Sequence, residues 1–195
     1  MLEKENLKII VPSNWLKNQI DDSFLKKYEV DVIYNRIDKN IFNPKPGFFK
    51  KRYGLEEFKV VLGVASTWDR RKGLDLFIEL SKKLPYDYRI VIIGLSPRQI
   101  KKIGYFKNII GFERTKSQSE LVEAYSDCDV YFCSSYEETF GLTMLEAYFC
   151  GCKNIIGMNC SAVPEVLKLV KGIVLDSNGD VIEQFLDKLY YLEWY

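Results

Sequence analysis

The stretch VYFCSSYEETFGLTMLEAYFCG, residues 130–151, decides the reading of the chain. It opens with VYFC, four apolar residues rich in the β-branched and aromatic types that strands favour. A polar turn, SSYEET, follows. Apolar residues then recur at helical spacing. Leu142, Leu145 and Phe149 form one core-facing stripe, and the helix is expected to start near Phe140. An all-apolar strand followed within a few residues by a helix is the unit of a parallel sheet covered on both faces.

The unit repeats in both directions. Strands are expected at residues 7–11, 30–34, 60–65, 88–93, 108–111, 130–133, 154–156 and 173–175. Between them lie amphipathic stretches. GLDLFIELSKKL places Leu74, Phe77, Ile78 and Leu84 along one side. SQSELVEAY groups Leu121, Val122 and Tyr125, and Ser117 and Glu120 are spaced as a capping box. VIEQFLDKLYYLEWY reads as a terminal amphipathic helix. The alternation predicts an α/β fold with a Rossmann-like, doubly wound, mostly parallel sheet. IDKNIFNPKPGFFKKRYGL breaks the rhythm with its prolines, glycines and asparagines and reads as a linker. The expected division is a strand–helix–strand piece at 1–34, a linker and helical lead-in at 35–58, and the main domain at 59–195.

Composition narrows the function. The 195 residues are 47% apolar, enough for one core. A net charge of +1 lacks the basic excess of a protein that tracks phosphates, which argues against nucleic acid. Histidine is absent, which removes Ser-His-Asp and Cys-His chemistry and the commonest zinc ligand. The five cysteines are odd in number, form no paired metal motif and lie mostly in apolar runs. Free thiols in a reducing cytoplasm are the expectation. The N-terminus starts with charge, so no signal peptide is expected. No apolar run approaches the roughly 18 residues of a membrane span, although peripheral contact with the inner membrane face needs none.

In open parallel sheets ligands sit beyond the carboxyl ends of the strands. The loops after Ala65, Gly94, Gly111 and Cys133 are therefore the places to look. STWDRRKGLD sets Arg70, Arg71 and Lys72 just before Gly73 and a helix, a candidate anion site whose plain alternative is a solvated charged loop. The loop after Cys133 leads to a helix whose first amides are unpaired and carry partial positive charge, and Gly141 permits close backbone approach. Glu138 precedes that helix. Glu146 follows Leu142 by four positions, at the shoulder of the apolar stripe, where a carboxylate needs a partner. A sugar hydroxyl or ribose diol would serve, and so would a structural ion pair.

The run Glu138-Thr139-Phe140-Gly141-Leu142, then Glu146-Ala147 and Cys150-Gly151, resembles the E-x7-E motif of retaining glycosyltransferases of family four, which have GT-B architecture. WDRRKGLD resembles their phosphate loop. VIYNRIDKNIFNP resembles their interdomain segment, SDCDVYFCSS their ADV-x-x-x-PS strand and SAVPEVL their GG-x-PE turn, all in the family's order. The combined pattern is most similar to enzymes of bacterial capsular or surface polysaccharide assembly. The resemblance implies that Lys72 and Arg71 pair with a donor diphosphate and Glu138 holds the donor sugar. The backbone of Thr139, Phe140, Gly141 and Leu142 would cradle the phosphates, Glu146 would bind the ribose, and the region of Gly111 and Thr115 would border the base. It implies a nucleoside-diphosphate sugar as substrate, no cofactor and no metal, and a saccharide or lipid-linked saccharide acceptor held by a further N-terminal domain. This chain would then be a fragment or truncated product, with apolar surface at Trp15 or Trp194 left open and little transfer on its own. Where the family carries arginine before its lysine, this chain has Thr67. A GT-B epimerase and a non-catalytic nucleotide-binding module are the competing readings.

Overall fold

The structure is a computed structural model and describes residues 7–192. Expectations that fall on Trp194 and the last turn of the terminal stretch lie outside the described residues. The chain begins with β1 (Lys8–Val11), α1 (Asn14–Asp21) and β2 (Glu29–Val32), a parallel two-stranded unit. An irregular segment leads to the short α2 (Phe49–Tyr53). Then follow β3 (Lys59–Val64), α3 (Leu74–Lys83), β4 (Tyr88–Ile93), α4 (Pro97–Ile103), β5 (Ile109–Phe112), α5 (Gln118–Asp127) and β6 (Val130–Cys133). The chain continues with α6 (Leu142–Phe149), β7 (Asn154–Met158), α7 (Val163–Leu169), β8 (Ile173–Leu175) and α8 (Val181–Leu189).

The main sheet has the order β5-β4-β3-β6-β7-β8, and each neighbouring pair of strands runs parallel. This is the doubly wound arrangement. It follows from strands that are apolar at nearly every position: β6 is buried throughout, and so are the central residues of β3 and β4. Such strands need cover on both faces. Phe77, Leu80, Ile103 and Phe185 of α3, α4 and α8 cover one face. Tyr125, Met144, Leu145 and Val166 of α5, α6 and α7 cover the other.

The linker expectation needs refinement. Residues 37–48 form no regular element, yet Phe42 and Phe49 are buried in the core beside α5. Asp127, at the end of α5, accepts from the amides of Phe49 and Lys50 at 2.8 and 2.9 Å and so caps α2. Lys50 reaches Asp129 at 2.7 Å. The segment is strapped to the main sheet by two aspartates that composition alone reads as surface charge.

Local signals explain several boundaries. Ser96 and Gln99 form a full capping box with Pro97 in the first turn of α4, a helix that the apolar periodicity did not reveal. The capping box expected at Ser117 is half present. Ser117 accepts from the Glu120 amide, but the Glu120 carboxylate takes the amide of Lys116 in place of that of Ser117, and its other oxygen binds Tyr53 and Arg52 across the α2–α5 contact. No described helix is long and apolar enough to cross a membrane.

Candidate active site

The sheet changes winding direction between β3 and β6. From β3 the chain passes to α3 on one face, and from β6 to α6 on the other. Loops that part in this way leave a crevice beyond the strand ends, the switch point where ligands bind in doubly wound folds.

Two hydrogen bonds hold the diverging loops together at their roots. Ser134 Oγ donates to the Lys72 carbonyl, and the Tyr136 amide donates to the Arg71 carbonyl, both at 2.7 Å. Gly73 makes the close approach possible. Its φ is +68°, and a Cβ there would lie 2.1 Å from the Ser134 carbonyl oxygen, so only glycine fits. The result is an ion pair between Lys72 Nζ and Glu138 Oε1, residues 66 apart in sequence, whose side chains are only 25% and 14% exposed. Ser135 Oγ donates to the same carboxylate oxygen at 3.1 Å. The Glu138 backbone is fixed as well: its amide donates to Ser161 Oγ at 2.8 Å and its carbonyl accepts from Ala162 at 3.2 Å.

Arg71 parts company with Lys72. Its guanidinium grips Asp69 with bonds of 2.7 and 3.1 Å in a largely exposed pair, which holds the Asp69 carboxyl below its ordinary value. Arg70 and Arg71 line a neighbouring cavity of about 600 Å³ with Trp68, Tyr136 and Glu137, on the α3 side of the crevice. The paired-cation expectation therefore meets a structure in which Lys72 faces Glu138 and Arg71 is already engaged.

On the other side, Gly141 caps α6 with φ +97°. The helix starts at Leu142, later than the periodicity suggests, because the left-handed glycine interrupts the turn that Phe140 would have begun. The apolar stripe is displaced too. Met144, Leu145 and Ala147 are buried, whereas Leu142 is 38% exposed and Phe149 only half-buried. Leu142 opens the helix, and no preceding turn covers it. Phe140 is buried, its ring 5.5 Å from that of Tyr34. Its side chain anchors the loop while its backbone, with that of exposed Thr139, forms the approach to α6.

Glu146 lies half-buried one turn further along. Tyr125, fully buried beneath it, donates its hydroxyl to Oε2 at 2.6 Å. Burial raises the Glu146 carboxyl above its ordinary value, and the tyrosine only partly offsets this. Gly111 sits inside β5, where a Cβ would meet Ile103 and Leu95 at 2.4 and 2.8 Å, so its smallness admits α4. Thr115 is half-buried in the loop between β5 and α5. Cys133 ends β6 beneath Glu138, and burial pushes its thiol up to about 12, which removes it as a nucleophile near neutrality. Sequence reading did not find Ser13, Ser161 or Glu165 as contributors. Pro164 followed by glutamate marks the first turn of α7, but nothing local announces what these residues touch.

Lys72, Glu138 and the first turn of α6 thus lie together at the switch point, and Glu146 lies one turn further along the same helix. Known proteins resemble the chain as a whole. The family model described as "Glycosyl transferases group 1" matches residues 47–193. N-acetyl-alpha-D-glucosaminyl L-malate synthase of Bacillus anthracis is 25% identical over 162 residues, which is 80% of this chain and 42% of that one. Among solved structures, the C-terminal domain of a group 1 glycosyl transferase (LpcC) from Francisella tularensis is 26% identical with a TM-score of 0.60, covering 80% of this chain and 87% of that one. An Anabaena protein (Alr3699/HepE) solved with UDP and glucose superimposes with a TM-score of 0.67 at 17% identity, over 93% of this chain and 54% of that one. The chain spans about half the length of the curated relatives it matches. With most of its length under the family model, the chain belongs to the group 1 glycosyl transferases.

Proposed function

We propose that this chain supplies the donor side of a transferase that moves a sugar, of hexosyl type, from a nucleoside-diphosphate sugar to an acceptor hydroxyl with retention at the anomeric carbon. The single observation that carries the reading is the Lys72–Glu138 pair, set at the switch point beside the open N-terminus of α6. A diphosphate entering there offers Lys72 a stronger anionic partner. Glu138, released from the lysine, becomes an acceptor for sugar hydroxyls. The amides at the start of α6 meet the phosphates, and Glu146 takes the ribose diol, which repays the carboxylate for its burial.

Chemistry follows from charge. As the glycosidic bond breaks, negative charge grows on the leaving diphosphate, and a fixed cation there lowers the barrier. Loss of one such group costs about 3–4 kcal/mol, a hundred- to a thousand-fold in rate. A helix N-terminus contributes about 0.3–1 kcal/mol, so Lys72 dominates. No metal is needed in this scheme, since lysine and helix amides meet the leaving group. Glu138 is assigned to binding the sugar hydroxyls, not to a covalent intermediate, and Ser135 holds its carboxylate in place once the lysine turns to the phosphate.

Residues 59–192 form the donor domain in this reading, 35–58 the connection and 7–34 a strand–helix–strand contribution from an acceptor half. That half would hold a saccharide or lipid-linked saccharide, at the inner face of a membrane, for surface or capsular polysaccharide assembly. The similarity to an Anabaena protein solved with UDP and glucose supports a uridine donor as the first one to try. The deciding experiment is transfer by the complete enzyme with Lys72→Ala. A fall of two to three orders of magnitude in kcat supports the assignment, and an unchanged rate with unchanged donor affinity removes it.

A further inference from the structure

The contact between the N-terminal unit and the α6 loop is built from buried, directional bonds. Ser13 is completely buried. Its hydroxyl oxygen accepts from the Leu16 amide at 3.1 Å as the cap of α1, and its proton goes to the Thr139 carbonyl at 2.6 Å. The next two amides of α1, on Asn14 and Trp15, need partners outside the helix. Both donate to the Glu165 carboxylate, at 2.9 to 3.3 Å. The Asn14 side chain reaches Glu165 at 2.6 Å, and Tyr34 donates its hydroxyl to the same group. The Tyr34 ring in turn packs on Phe140. Hydroxyl and ring thus converge on Thr139 and Phe140, the two residues before Gly141.

We propose that Ser13, Tyr34 and Glu165 are positioning residues that set the peptide between Thr139 and Phe140 for the donor diphosphate. This deepens the donor reading and rests on it. The peptide is planar and trans, so its carbonyl and its amide point in opposite directions. Ser13 draws the Thr139 carbonyl toward α1. The Phe140 amide must then point away from α1. Glu165 holds α1 in register by occupying its first amides, and Tyr34 fixes the Phe140 ring. The unit at residues 7–34 is therefore part of the donor site's scaffold. By linkage, whatever binds at residues 139–142 also strengthens the docking of α1.

Two substitutions at one position test this. Ser13→Gly keeps a tolerable helix start, since glycine is an accepted N-cap residue, but deletes the bond to Thr139. Ser13→Thr keeps both. Hydrogen exchange of the whole chain should quicken at residues 138–142 in Ser13→Gly and in Glu165→Gln, stay slow at residues 130–133, and return to the wild-type rate in Ser13→Thr. Titration calorimetry with UDP, GDP and ADP should show about three- to tenfold weaker binding in Ser13→Gly, the worth of one hydrogen bond, with recovery in Ser13→Thr. Unchanged exchange at residues 138–142 in both Ser13→Gly and Glu165→Gln overturns the positioning role. If the wild-type chain binds none of the nucleotides, the donor reading fails, while the exchange result still decides whether these residues hold the loop.

Discussion

At the shoulder of α6, Glu146 accepts one hydrogen bond among the described residues, from Tyr125, and burial lifts its carboxyl above the ordinary value. In the first turn of α7, Glu165 also loses solvent, and burial alone would raise it. Bonds from the Asn14 amide, Tyr34, the Asn14 side chain and the Trp15 amide outweigh that and hold it below the ordinary value. The two carboxylates lie on neighbouring helices of the same face. One is left short of partners and the other is saturated. The second holds structure together. The first carries a cost that the fold alone does not recover, as is common where a ligand is to complete the environment.

The contrast can be broken at several points. The largest expected effect belongs to Lys72, the cation at the switch point. Lys72→Ala should lower transfer by the complete enzyme about a hundred- to a thousand-fold, and a loss under tenfold would detach the lysine from the chemistry. Glu165→Ala comes next. It strands the amides of Asn14 and Trp15 and the Tyr34 hydroxyl, so chemical denaturation should show a loss of about 1–3 kcal/mol. Glu146→Gln should do the reverse. The amide oxygen still accepts from Tyr125 and no charge is buried, so a gain of about 0.5–1 kcal/mol at pH 7 is expected, alongside weaker nucleotide binding.

The two carboxylates should also answer pH with opposite signs. Glu165 has a lowered folded value, so its stabilisation is present above the ordinary 4.5 and is lost as pH falls through the folded value. Glu146 has a raised folded value, so its penalty is absent below 4.5 and grows as pH rises toward and through the folded value. The gain from Glu146→Gln should therefore fade on acidification, and the loss from Glu165→Ala should shrink as well. Melting curves between pH 3.5 and about 7 would show both, and a pH-independent difference in either variant would contradict its assignment. The smallest effect is expected at Arg71. Its pair with Asp69 is exposed, so Arg71→Ala should leave the melting temperature indistinguishable from wild type, as for most surface ion pairs.

Much of the fold was legible because it rests on local pattern. Runs such as Val60–Leu62 and Ile90–Ile93 announce strands covered on both faces, and they lie in the centre of the sheet. The order of motifs was enough to indicate the family. What stayed hidden depends on contacts far apart in sequence. The Glu120 carboxylate, besides taking the Lys116 amide, reaches Tyr53 and Arg52 on α2. Asp127 reaches back to α2. The role of Glu165 is set by an α1 amide 151 positions earlier, and no periodicity encodes such a pairing.

The most direct test of the account is calorimetric titration of UDP, GDP and ADP into this chain, with Lys72→Ala and Glu146→Gln beside it. The account predicts saturable binding of one nucleoside diphosphate, weakened in both variants although Glu146→Gln melts higher than wild type. Binding that neither substitution changes would place the nucleotide elsewhere and contradict the assignment of the switch-point crevice as the donor site.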